Sequence, residues 1–106
     1  MDGNITVKYL QDYLRQKDFK PGQEREYFLK LAEEVGEVAR AMHKGLLPKA
    51  PDDVIDTLSE ELWDVMYYTL ALANLYGIDM ETVIPIKEAH NEKRRPGQAP
   101  AFETGR

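Results

Sequence analysis

The chain has 106 residues, 42% hydrophobic and 31% charged, a balance that excludes disorder and fits a single ordered domain with a modest core. It holds no cysteine, which removes disulfides, thiolate zinc sites and cysteine nucleophiles and leaves oxygen and imidazole as the available ligands. A net charge of −5 argues against binding an extended nucleic acid polymer, and the longest near-apolar run, Val65 to Ala73, is too short to span a membrane, so a cytoplasmic protein is expected.

Thr6 suits the N-cap of a first helix ending at Lys17, with Val7, Leu10 and Leu14 at helical spacing. Phe19-Lys20-Pro21-Gly22 breaks it. From about Gln23 to Lys44, Phe28, Leu31, Val35, Val38, Ala39 and Met42 form one stripe, and Gly45 sits where a C-capping glycine belongs. This second helix would run about 33 Å, most of the length of a small bundle. Leu46 to Pro51 is a connector, after which Asp52, Asp53 or Asp56 can cap a third helix from about Asp53 to Tyr76. Its first half is amphipathic through Val54, Ile55, Leu58, Leu62, Val65 and Met66; beyond Trp63 apolar residues occupy all sides, which predicts cover from a second subunit. Gly77 ends it, Asp79 can cap a fourth helix from Met80 to about Arg94, and Pro85 within that span predicts either a kink or a start near Ile84. No strand pattern competes. The expected fold is all-α, with four or five helices in one domain over residues 1–95, the bundle being completed by dimerisation as a homodimer or a dimer-of-dimers tetramer. A flexible tail with Pro and Gly is expected over 96–106.

Two acidic motifs stand inside the apolar periodicity: Glu33, Glu34 and Glu37 in the second helix, and Glu61 and Asp64 in the third. Acids three residues apart share a helix side, and in soluble proteins such pairs are ordinarily a solvated face. Here the two motifs match in placement. Taking Val35 as the origin of one helical wheel and Leu62 of the other, Glu34 and Glu61 lie at about −100° and Glu37 and Asp64 at about −160°. Antiparallel helices packed through those stripes would gather all four carboxylates on one flank, and Tyr68 and Leu72 continue that flank where a solvated face would stay polar. Such crowding calls for a cation. Hard oxygen donors without a histidine cluster select Mg²⁺, with Mn²⁺ as a substitute, and magnesium commonly completes its shell with substrate phosphates.

A cationic counterpart exists in the fourth helix, where Lys87, Lys93, Arg94 and Arg95 accompany Asn91 and could offset charge on a polyphosphate; the macrodipole alone also favours basic residues there. Trp63, Tyr67 and Tyr68 lie beside the acidic flank and are candidates to stack on a nucleobase, although helix-borne aromatics commonly serve core or interface. His43 and His90 lack ligand spacing and read as surface residues.

Glu33-Glu34-Val35-Gly36-Glu37 followed by Glu61-Leu62-Trp63-Asp64 resembles the E-E-x-x-E and E-x-x-D signature of the MazG-like, all-α nucleoside triphosphate pyrophosphohydrolases. Lys87, Asn91, Arg94 and Pro96 resemble the family's third element, with arginine in place of the usual lysine at 94 and arginine at 95 where an aromatic is common. The resemblance implies that Glu34, Glu37, Glu61 and Asp64 ligate Mg²⁺, that Glu33 assists behind them or orients the attacking water, and that Lys87, Asn91 and Arg94 meet phosphates. It implies hydrolysis of a nucleoside triphosphate between the α- and β-phosphates, giving monophosphate and pyrophosphate, as removal of unwanted nucleotides from the pool. Dimeric dUTPases and phosphoribosyl-ATP pyrophosphohydrolases share the acidic core, so those activities remain open. So do a non-catalytic helical interaction module and a metal-binding protein without turnover.

Overall fold

A computed structural model describes Met1 and residues 3–94; Arg95 and the expected tail lie outside the described residues. The described chain is all-α, with α1 Val7–Lys17, α2 Glu24–His43, α3 Leu58–Leu75 and α4 Met80–Arg94. No helix among the described residues is long and apolar enough to cross a membrane.

Capping chemistry sets most of the boundaries. Thr6 accepts the Tyr9 backbone N–H at 3.0 Å, as its type at that position requires, and Glu81 of α4 accepts the Lys8 N–H at 2.8 Å, so a second unpaired donor at the start of α1 is satisfied from another helix. Gly45 follows α2 with φ 67°, and Gly77 follows α3 with φ 67°, the left-handed geometry that glycine adopts without strain. The third helix starts later than its sequence suggests. None of Asp52, Asp53 or Asp56 caps it; Thr57 does, accepting the Ser59 N–H at 3.1 Å. The reason is local: Asp56 is itself left-handed, φ 65°, which ends any helical path from Asp53, and its N–H donates back to Glu60 at 2.9 Å. The fourth helix begins at Met80 and carries Pro85 inside it, so the alternative start near Ile84 does not occur.

The core is small, built on Leu10, Leu14, Tyr27, Leu70 and Ala71. Leu14 is wholly buried, and its truncation to alanine would cost about 2–5 kcal/mol. Beside it lies a buried polar lock set within the apolar stripe of α1. Gln11 donates to Asn74 Oδ1 and to the Ile78 carbonyl, each at 2.9 Å, and accepts the Met80 N–H at 3.0 Å; Asn74 returns a bond to the Gln11 carbonyl at 2.9 Å. Both amide donors and the amide oxygen of the Gln11 side chain are therefore engaged in joining α1 to the end of α3 and the start of α4.

α2 and α3 make the most extensive contact between helices, while α4 leans on α1 and buries no residue of its own. The predicted stripe of α2 is corrected by this packing. Tyr27 and Ala41 are buried and Leu31 and Val38 half-buried, whereas Phe28, Val35, Ala39 and Met42 are exposed. On α3, Leu62 and Met66 are exposed in the same way. The helices thus meet not through the Val35 and Leu62 stripes but through faces turned toward the acids, because the aromatic girth of Tyr27, Tyr67 and Tyr68 occupies the space between them.

Candidate metal centre

That rotation decides where the carboxylates fall. Glu34 of α2 and Glu61 and Asp64 of α3 each offer one carboxylate oxygen, and the three oxygens lie within 4.8 Å of one another on half-buried side chains. Antiparallel pairing explains the convergence: Tyr27 faces Tyr68, with ring centroids 6.2 Å apart, and seven residues along each helix Glu34 faces Glu61. Seven residues are two helical turns, so both acids return to the contact side.

Electrostatics record the crowding. Burial pushes the Glu34 carboxyl above its ordinary range, and the charges of Asp64, Glu37 and Glu33 push it further against the pull of Lys30. Burial likewise raises Glu61, followed by repulsion from Asp64 and Glu37, and raises Asp64, followed by repulsion from Glu60. Three oxygen donors with no cysteine or histidine among them, half out of water and mutually repelling, fit a hard divalent cation such as Mg²⁺ or Mn²⁺.

The other expected site residues are distributed less tightly. Glu37 is drawn to one side, its Oε1 accepting from Arg40 Nε at 2.8 Å, and it does not join the triad in this arrangement, although its charge reaches Glu34 and Glu61. Glu33 is exposed, 3.8 Å from Lys30. Lys87 and Arg94 are exposed on α4, and Asn91 donates to Glu88 at 3.2 Å; their helix packs on α1. His43 and His90 are exposed surface residues. Among the aromatics, Trp63 stands edge-on to Tyr67 at 6.0 Å and Tyr67 to Tyr68 at 4.9 Å. Of the three, Tyr68 lines a cavity of about 140 Å³ with Asp18, Lys20, Gln23, Glu26, Tyr27 and Lys30. Sequence reasoning passed over Asp18, which accepts both the Tyr27 hydroxyl and, at 2.7 Å, the Tyr67 hydroxyl. Nothing in the spacing of these three residues announces that they meet.

The two longest helices of this all-α domain therefore close on three carboxylates, the architecture of a helical fold built around an acidic centre. Residues 23–97 match the MazG nucleotide pyrophosphohydrolase domain. Among solved structures, the C-tagged iMazG from Vibrio DAT 722 is 37% identical over 83% of this chain and 99% of its own, with a TM-score of 0.75. The N-tagged form is 35% identical over 87% and 99%, with a TM-score of 0.77. No curated protein matches the chain. The chain belongs to the MazG nucleotide pyrophosphohydrolase family.

Proposed function

We propose that the protein is a Mg²⁺-dependent nucleoside triphosphate pyrophosphohydrolase that adds water across the α–β anhydride, giving a nucleoside monophosphate and pyrophosphate in nucleotide-pool house-cleaning. The observation that carries this reading is the convergence of Glu34, Glu61 and Asp64 within 4.8 Å at the contact of α2 and α3, in a chain of this family. Mg²⁺, when bound, would polarise the phosphate oxygens and lower the pKa of water. Glu34, Glu61 and Asp64 would hold it, and Glu37 would join them by giving up its exposed pair with Arg40, a small loss in water. Glu33 lies at the rim, free enough to accept a hydrogen bond from the attacking water. No side-chain nucleophile is required.

Lys87, Asn91 and Arg94 serve the phosphates in an assembled form. Phe28, Val35 and Met42 on α2 and Leu62 and Met66 on α3 leave apolar side chains about half exposed, a surface that a second copy of the chain would cover. A homodimer, or a dimer of dimers, finishes the bundle and brings further elements to the mouth of the acidic centre.

The test is product analysis with a panel of canonical and modified nucleoside triphosphates, with Mg²⁺ and with EDTA. Monophosphate and pyrophosphate in equal amounts, only with the cation, are expected. Release of orthophosphate, or turnover in EDTA, would refute the proposal.

A further inference from the structure

We propose that Asp18 is a positioning residue for the acidic centre: by accepting the Tyr27 hydroxyl from α2 and the Tyr67 hydroxyl from α3, it sets the helix spacing at which Glu34, Glu61 and Asp64 converge. The inference rests on the metal-binding reading of that centre.

Asp18 does not wander. It is the C-cap residue of α1, and its backbone N–H donates to the Leu14 carbonyl at 2.7 Å, so the wholly buried Leu14 fixes its origin. One carboxylate then receives a hydroxyl from each of the two helices that carry the acids, Tyr27 at Oδ1 and Tyr67 at Oδ2 at 2.7 Å. The two tyrosines flank Tyr68, whose ring stands edge-on to Tyr27 at 88° and to Tyr67 at 62°. Tie and aromatic wedge together define one separation of α2 and α3 at this level.

The level of the acids is two turns away along α2, about 10.5 Å, and one to two turns away along α3. Helices are stiff over that length, so a separation fixed at the tyrosines is inherited at the carboxylates. Without the tie, repulsion among the three acids is opposed by packing alone and favours a wider spacing. Burial works against ionisation of Asp18, but the hydroxyls of Tyr27 and Tyr67 and the charges of Lys20 and Lys17 hold its carboxyl below the ordinary range, so at neutral pH the acceptor is the full carboxylate. Lys17 lies over the Tyr67 ring, 5.6 Å from its centroid.

A tie that merely stabilised the fold would not alter metal affinity once the protein is folded; a tie that spaces the ligands would. The experiment titrates Mn²⁺ alone into the full chain and follows free Mn²⁺ by electron paramagnetic resonance at low temperature, with helicity checked by circular dichroism. The variants are Tyr27→Phe, Tyr67→Phe, their combination, and Asp18→Asn. Gln11→Ala is the control, because it breaks a buried polar lock between α1 and α3 that touches neither the tyrosines nor the acids. The Phe variants keep both rings and remove only the hydroxyls, so each is expected to fold. Loss of both hydrogen bonds is expected to weaken Mn²⁺ binding about three- to tenfold, each single Phe variant less, while Gln11→Ala lowers stability and leaves Mn²⁺ affinity unchanged. Unchanged affinity in the folded double variant would overturn the proposal alone. Absence of Mn²⁺ binding by the unaltered chain would instead overturn the metal reading on which it stands.

Discussion

Glu34 on α2 and Asp64 on α3 come from sequence positions thirty residues apart, yet their carboxylate oxygens approach within 4.8 Å with Glu61 beside them. Both carboxyls are pushed up, first by burial and then by neighbouring negative charge, so in the metal-free protein this contact is unfavourable. Neutralising one acid should therefore help the fold. Glu34→Gln and Glu61→Gln are each expected to stabilise the metal-free chain by about 0.5 kcal/mol, as relief of one like-charge contact, and to abolish the rise in melting temperature that Mg²⁺ is expected to give the unaltered chain. Differential scanning calorimetry with and without Mg²⁺ checks both effects, and a lower melting temperature of the metal-free variants would count against the crowded centre.

The same shifts predict a pH dependence. Because the folded chain holds protons on Glu34, Glu61 and Asp64 more tightly than the unfolded chain, these acids favour the folded state below their ordinary range. That contribution is lost as pH rises through their raised values. Mg²⁺ would have to displace those protons, so its binding should weaken as pH falls through the raised range of these acids and release protons there. Calorimetric titration in two buffers of different ionisation heat measures the release; equal heats in both would contradict it.

Arg40 draws Glu37 away from the triad through a 2.8 Å pair whose two side chains are about half exposed. Arg40→Gln should leave stability nearly unchanged and tighten Mn²⁺ binding about twofold, since Glu37 no longer has a partner to leave. Glu37→Gln should weaken it. Binding isotherms for the two variants that move in the same direction would show that Glu37 is no ligand.

Exposed Val35 and Leu62 are the residues on which self-association is expected to turn. Val35→Glu and Leu62→Glu should each give a helical protein that sediments at half the mass of the unaltered chain or less, with loss of turnover. Sedimentation of the unaltered chain as a monomer at micromolar concentration would dispose of the assembly.

How far the sequence carried these conclusions differs from element to element. Val7, Leu10 and Leu14 with the Thr6 cap gave α1 to the residue, and the acidic spacing in the two motifs pointed to the carboxylates that meet. Periodicity also showed that α2 and α3 have apolar stripes. It could not show what covers them, and the chain leaves Val35 and Leu62 outside while turning Glu34 inward. The start of α3 was obscured because Asp52, Asp53 and Asp56 are all good caps; only the left-handed turn at Asp56 selects Thr57. Gln11 had a signal, a polar side chain on the stripe formed by Val7, Leu10 and Leu14, and that is where a buried hydrogen-bond lock belongs. Asp18, Tyr27 and Tyr67 had none, since their meeting depends on three helices at once.

The most direct measurement of the central claim is hydrolysis of a deoxynucleoside triphosphate in ¹⁸O-water with Mg²⁺, followed by mass analysis of both products. Attack at the α-phosphorus places the label in the nucleoside monophosphate and leaves the pyrophosphate unlabelled, and it should vanish in Glu34→Gln. Label in the pyrophosphate, or equal turnover by Glu34→Gln, would contradict the account.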